Sequence, residues 1–397
     1  MRSQLRQRAF ALVSMFIGIV LAVLVAEVAL RLAGIEVPQF YAYDADRGVR
    51  HRAGAQGLYR GDGESTVRIN SAGLRSPELS LAKPPNTLRI AILGDSMAEA
   101  FGVSEAETFW AVMGRDLRSC PALQGRLLEV INFGVSGYGT STEWISLQRE
   151  GWTYDPDVVL LAFFSGNDLR NNVPELERKR YQLYHELRGG RLVEFRPAGA
   201  WEAAVHRVGA RSWRALAEIS RVAQVLNMAR RWAVERWRQS SSLAAADPLV
   251  DGREEGIDAA VLAAPPSALW EHAWEITTAV IEGLAEDVRG HGRQLQIAAV
   301  SNAIQVHPEA RVRQDFMQRL GLEDLGYAER RIGALAQRLG VPYIELAPPL
   351  LQWAEQHQRC VHGFAVATPC FGHWNVDGHR VAGELLARRL CAALPRP

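Results

Sequence analysis

The chain has 397 residues, of which 48% are hydrophobic and 22% charged, with a formal net charge of +1. That is globular composition, long enough for one large domain with insertions or for two smaller ones. A charge this close to zero excludes global steering toward nucleic acid, and no internal repeat points to a solenoid.

Arg2, Arg6 and Arg8 precede an uncharged apolar run over 9–26. As a helix rising 1.5 Å per residue the run spans about 27 Å, close to the roughly 30 Å of a bilayer's hydrocarbon core. Basic residues before it and Glu27 after it orient the N-terminus toward the cytoplasm. A single-pass anchor in a bacterial inner membrane, with the remaining chain on the periplasmic side, is the expectation. A cleaved signal peptide is the alternative, although Leu24-Val25-Ala26 places leucine where cleavage wants a small residue. Residues 27–35 continue as helix toward Gly34, with Pro38 beyond. Residues 40–86, rich in Gly, Asp and Arg, read as an irregular extension packed on a core.

Strand-like runs then occur at 88–93, 127–133, 157–164, 295–301 and 342–346. Helical patterns occur at 105–118, 141–151, 272–291, 324–339 and 376–392. Strands alternating with helices imply βαβ units and a parallel sheet. The alternation stops between 174 and 271. Residues 180–196 read as a hairpin around Gly189-Gly190, and 211–238 as one or two helices with Trp213, Arg214, Arg221, Arg230, Arg231, Trp232, Arg236, Trp237 and Arg238. Residues 240–270, including the run Ser240-Ser241-Ser242-Leu243-Ala244-Ala245-Ala246, read as a flexible return. The predicted division is 1–30 anchor, 31–86 extension and 87–397 α/β domain, with 174–271 an insertion over its mouth. The Arg/Trp helix either rests on anionic lipid or an acidic polysaccharide, or buries Trp213, Leu216, Ile219 and Leu226 on the core with its arginines in water. The sequence favours the second.

Chemistry-bearing residues follow the strands. Leu93-Gly94-Asp95-Ser96-Met97 closes the first, Asn132-Phe133-Gly134-Val135-Ser136-Gly137 the second and Ser165-Gly166-Asn167-Asp168 the third. Gly372-His373-Trp374-Asn375 lies near the end of the chain. A serine after a buried strand sits where open α/β sheets place their ligands. In this order the four blocks resemble those of the SGNH (GDSL-type) hydrolases, a family of serine esterases and acyltransferases. The resemblance covers roughly 65–173 and 290–393. It implies a three-layer αβα flavodoxin-like fold with a five-stranded parallel sheet, here carrying an N-terminal transmembrane helix and a mostly helical insertion. Anchored members of the family often carry an extension with a segment like Arg68-Ile69-Asn70-Ser71-Ala72-Gly73-Leu74-Arg75.

Acyl transfer needs a nucleophile, a base and donors aimed at an oxyanion. Ser96 is the candidate nucleophile. The resemblance maps the base onto His373, with Asn375 and Gly378 at the family's downstream spacing. His379, preceded by Asp377, is the competitor. The oxyanion donors map onto the backbone N–H groups of Ser96 and Gly137 and the Asn167 amide, with Gly134 as fallback and Asp168 bracing the loop. One departure stands out. The family's acid lies two or three residues before the histidine, and here those positions are Phe371 and Cys370. Asp377 is a possible displaced acid, and a Ser96–His373 dyad is chemically reasonable without one.

Four cysteines allow three pairings if oxidised. Cys360 and Cys370 bracket the loop before His373, which leaves Cys120 for Cys391; four free thiols are the alternative. A Cys360–Cys370 bond could stiffen the loop in place of the absent acid. No Cys/His spacing suggests zinc, and no cofactor is expected. The expected function is a serine-dependent ester hydrolase or O-acyltransferase acting outside the cytoplasm on O-acetylated cell-surface glycan. Its partners would be the acylated glycan, the membrane through the N-terminal helix, and polysaccharide-assembly proteins, with no nucleic acid. The alternatives are a lipid esterase or thioesterase, and a degenerate glycan-binding module lacking its acid.

Overall fold

The structure is a computed structural model that describes residues 2–242, 259–365 and 369–394. Its frame is a parallel sheet of five strands: β1 (Thr87–Gly94), β2 (Leu127–Asn132), β3 (Val158–Phe164), β4 (Gln294–Val300) and β5 (Tyr343–Glu345). Their spatial order is β2-β1-β3-β4-β5, the flavodoxin-like order in which the winding reverses between β1 and β3. The register sets Ile92 beside Leu160 and Leu161 beside Ile297.

Both β1 and β3 are buried along their whole length, which is why they read as continuous apolar runs rather than alternating ones. One face of the sheet turns Ile90, Ile92, Leu160 and Val300 toward the helices Phe109–Leu117, Ala347–His357 and Val376–Ala393. The other turns Leu93, Val159, Leu161 and Ile297 toward Thr140–Arg149, Ala268–Gly290 and Tyr327–Leu339. The fold is therefore a three-layer αβα sandwich. Each fully buried Leu, Ile, Val or Phe side chain in these layers contributes roughly 1.5–3 kcal/mol.

The extension is not irregular. It forms two antiparallel hairpins, Tyr41–Asp44 with Gly48–His51 and Gln56–Arg60 with Glu64–Arg68. Strands of four or five residues between Gly- and Asp-rich turns leave too short a period-two signal to read. Phe40, Ala55, Val67 and Ile69 close a small separate core on Phe101, just beyond the Ser96 helix. Arg75, fully buried, fastens the arm to that helix: its guanidinium donates to the backbone oxygens of Glu99 and Val103 and lies over the Phe101 ring.

Two disulfides join Cys120 to Cys391 and Cys360 to Cys370. The first ties the end of the Phe109–Leu117 helix region to the C-terminal helix across 271 residues.

The chain divides into two compact units, 1–39 with 204–246 and 40–203 with 247–397. The boundaries differ from those read in the sequence, because the N-terminal segment and the insertion helices share one unit. That unit holds the helix Arg2–Leu32, of which Arg6–Leu32 is long and apolar enough to cross a membrane. It also holds most of Ala200–Ile219 and the helix Arg221–Ser242. The expected burial of Trp213, Leu216, Ile219 and Leu226 is overturned, since all four are exposed. Their inward neighbours are small or amide residues, Ala217, Ala223, Gln224 and Asn227. Most of the predicted return over 240–270 lies outside the described residues, as do the side chains of Arg231, Trp232, Arg236, Trp237 and Arg238.

Candidate active site

All the groups that meet at the head of β1 belong to the larger unit. As the chain leaves Gly94, Asp95 caps the short helix Ser96–Glu99, its Oδ1 accepting the Met97 N–H at 2.9 Å. This holds Ser96 at the first helical position, at the C-terminal edge of the sheet beside the switch point between β1 and β3.

His373 faces it. Its Nε2 lies 2.9 Å from Ser96 Oγ. Four interactions fix the loop that carries it. Asn375 caps the following helix by accepting the Gly378 N–H at 3.1 Å, and its amide donates to Cys360 O at 2.8 Å. The indole of Trp374 donates to Ser301 Oγ at 3.0 Å, and His362 Nδ1 lies 2.6 Å from Gly372 O. Gly378 has a packing reason, because a Cβ there would stand 2.2 Å from Val361 O.

The acid missing from the sequence before His373 arrives from the extension. Asp62, at the tip of the second hairpin, places Oδ2 2.5 Å from His373 Nδ1. The turn is Gly61-Asp62-Gly63, and a Cβ on Gly63 would lie 2.3 Å from Gly102 O, so only glycine lets the hairpin come this close. Asp377 does not stand in for it: its carboxylate pairs with Arg359 and Arg380. That Gly-Asp-Gly was the one local signal for Asp62, and it reads equally as an ordinary turn.

Electrostatics follow the geometry. Burial lowers the His373 pKa, but the hydrogen bond and charge of Asp62, with Asp95 and Glu99 beyond, outweigh it and hold the imidazole above its ordinary value. Burial raises the Asp62 pKa, and His373 and the Gly63 N–H reverse this and lower it. His379 is a different kind of histidine. It is buried, its Nδ1 accepts the Phe109 N–H at 3.2 Å, and burial pushes it down to about 3. It therefore stays neutral inside the core and is not within the Ser96 hydrogen-bond chain.

The two expected donor positions, Gly137 and Asn167, lie on the loops that follow β2 and β3. Asn167 donates an amide hydrogen to Asp95 Oδ2 at 2.9 Å, and its amide has no other acceptor among the described residues. Asp168 accepts the Phe164 N–H at 2.9 Å and braces that loop. Gly137 has φ +76°, a conformation that favours glycine, and its N–H has no acceptor among the described residues. The neighbouring Ser136 N–H donates to Glu99 Oε1 at 3.1 Å, where His51 Nε2 also sits at 2.7 Å. The loop is thus tied to the Ser96 helix and to the extension together. Gly134 is engaged elsewhere, since its N–H is taken by Asn132 Oδ1 at 3.0 Å and a Cβ would lie 2.6 Å from that of Ala98.

A cavity of about 60 Å³ opens beside Ser96 and His373, walled by Tyr41, Tyr59, Phe101 and Trp374. Among the described residues, His307, Cys360 and Cys370 bring metal-ligand atoms within 4.8 Å of one another, but the two sulfurs are spent in the disulfide.

No family model matches the sequence, and no curated protein does. Solved structures of similar outline include an acetyl xylan esterase, AlAXEase, at 13% identity and TM-score 0.38, covering 78% of this chain and 100% of that one. A catalytic mutant of the acetylxylan esterase Axe2 from Geobacillus stearothermophilus stands at 12% and 0.37, covering 80% and 98%. TesA stands at 9% and 0.36, covering 76% and 98%. The functional reading rests instead on the arrangement of Ser96, His373 and Asp62.

Proposed function

We propose that this chain is an SGNH-type serine hydrolase or O-acyltransferase that cleaves small acyl esters outside the cytoplasm, with acetylated glycan as its substrate class. The observation that carries this reading is the continuous hydrogen-bond chain Ser96 Oγ, His373 Nε2, His373 Nδ1, Asp62 Oδ2. A degenerate binding module would be expected to lack the acid, and Asp62 stands in its place.

In this reading Ser96 Oγ attacks the ester carbonyl while His373 Nε2 takes its proton. Asp62 holds the other ring nitrogen in the productive tautomer and stabilises the imidazolium. The tetrahedral oxyanion is received by the N–H groups of Ser96 and Gly137 and the free amide hydrogen of Asn167. Collapse expels the alcohol, protonated by His373, and leaves the acyl group on Ser96. Water or a sugar hydroxyl, deprotonated by His373, then attacks the acyl-enzyme and frees the serine.

The cavity supports a short acyl chain. Its volume of about 60 Å³ is well below the roughly 300–1,000 Å³ of pockets that hold drug-sized ligands, which favours a small acyl group over a long chain. An apolar N-terminal helix and two disulfides support a location in an oxidising, extracytoplasmic compartment with the chain anchored in the membrane.

Full-length protein in detergent, incubated with p-nitrophenyl acetate, butyrate and octanoate and followed by intact mass, tests the reading. The expected result is an acetyl adduct mapped to Ser96 (about 42 Da for acetyl less hydrogen), absent in Ser96→Ala, with turnover falling from acetate to octanoate. A folded wild-type protein that neither forms the adduct nor turns over acetate would overturn it. Equal rates along the series would overturn the short-chain assignment.

A further inference from the structure

The smaller unit shows an apolar surface that the catalytic reading does not use. In the helix Ala200–Ile219, Val205, Val208, Ser212, Leu216 and Ile219 recur at steps of three and four residues. At 100° per residue they occupy about 80° of arc. This row faces outward: Val208 is 66% exposed and Ile219 70%. Beyond the first turn, which carries Glu202, the charged residues Arg207, Arg211, Arg214 and Glu218 fall on a separate arc of about 60°. An outward face with no charge is the reverse of what a water-facing helix shows.

The same unit says at what level this face sits. Glu27 follows the last residue of the uncharged run 9–26. Its carboxylate accepts from Ser220 Oγ at 2.9 Å, from the Arg221 N–H at 3.0 Å and from the Val222 N–H at 3.1 Å. It thereby satisfies donors that begin the helix Arg221–Ser242. Arg31, one turn on, donates to Ile219 O at 2.6 Å. The junction between the two insertion helices is therefore clamped to the point where the apolar N-terminal helix meets its first charges.

We propose that the helix Ala200–Ile219 lies in the lipid–water interface, with Val205, Val208, Leu216 and Ile219 turned into the acyl region and its flanking arginines at the headgroups. The occupant of the apolar face is the bilayer itself. Continuity with the apolar helix Arg6–Leu32 argues for lipid over a protein partner, because the clamp at Glu27 holds Ile219 at the depth where hydrocarbon ends. Arg207 and Arg211 beside the row match the charge of anionic headgroups. The insertion then acts as a second, peripheral foothold beside the spanning helix.

The test uses the full chain in nanodiscs of phosphatidylcholine and phosphatidylglycerol, 3:1 (a ratio of about one anionic lipid in four, in the range of anionic membranes). Single cysteines, Val208→Cys, Leu216→Cys and Arg211→Cys, carry an environment-sensitive NBD label, with and without a doxyl-labelled phosphatidylcholine. The expected result is a blue-shifted emission at 208 and 216 and doxyl quenching several-fold greater there than at 211. Water-like, unquenched emission at 208 and 216 would overturn the proposal. A blue shift without doxyl quenching would also overturn it, since the face would then be covered by protein. The readout needs no enzymatic activity, so its failure would leave the esterase reading standing.

Discussion

Asp62 and His373 are hydrogen-bonded at 2.5 Å although 311 residues separate them. The acid comes from a hairpin that precedes the sheet, so the chain order of the three groups is Asp, Ser, His. The His373 loop is relieved of carrying its own carboxylate.

Replacing that acid tests the relationship. Asp62→Asn is expected to lower kcat by about 10⁴-fold with a small change in KM, by loss of the correct imidazole tautomer. Asp377→Asn, which breaks surface pairs with Arg359 and Arg380, is expected to change kcat less than about two-fold. Steady-state kinetics on p-nitrophenyl acetate decide it. Comparable losses in both variants would refute the assignment of Asp62.

The direction of the His373 shift fixes a pH profile. The base must be neutral, so kcat/KM is expected to rise with pH through an apparent pKa above the ordinary imidazole value of 6.5. The Asp62→Asn variant should titrate lower, having lost the carboxylate that holds the proton. Stability runs the other way. A histidine whose folded pKa is raised stabilises the fold below its unfolded pKa and loses that contribution as pH rises through the raised one. A rate profile whose acid limb does not move in Asp62→Asn would contradict this.

Gly137→Ala probes the oxyanion side. The position has φ +76°, a conformation an alanine holds only with strain, whereas the nearest atom to a Cβ is the mobile end of Lys179 at 3.1 Å, so the perturbation falls on the backbone that carries the N–H. Displacing one oxyanion donor is expected to lower kcat by roughly 10²–10³-fold, while fluorophosphonate labelling of Ser96 persists at reduced rate. Wild-type kcat in the alanine variant would place the donor elsewhere.

The Cys360–Cys370 bond lies at both ends of the segment that leads into His373, and Cys360 O accepts the Asn375 amide. Cys360→Ser with Cys370→Ser is expected to lower kcat by up to about 10²-fold through misplacement of the imidazole. Thermal unfolding and mass spectrometry of the variant would confirm a folded protein without the bond. Unchanged kcat with the bond demonstrably absent would show that the hydrogen bonds of Asn375, Trp374 and His362 fix the loop unaided.

The sheet was legible because its strands are buried on both faces and leave uninterrupted apolar runs such as 88–93 and 157–164, each closed by a glycine turn. Ser96, Gly137, Asn167 and His373 stood out because each follows a strand or precedes a helix at a recognisable spacing. Asp62 did not. A carboxylate in a Gly-Asp-Gly turn looks like any hairpin tip, and nothing local says that its partner lies near the other end of the chain. The outward orientation of Trp213, Leu216, Ile219 and Leu226 was not legible for a related reason. Helical periodicity reports that one face is apolar but not what covers it.

The arm that carries Asp62 is held at several points. Arg75 is buried against the carbonyls of Glu99 and Val103, and His51 and Tyr41 both reach the Glu99 carboxylate. On the proposed function the hairpins belong to the site, although they lie outside the α/β sandwich. Trimming the gene back to the recognisable sandwich, from β1 onward, would retain Ser96 and His373 yet leave one imidazole nitrogen facing solvent. On the proposed function, a fragment cut at the sequence motif would look complete while lacking Asp62, a third of its relay.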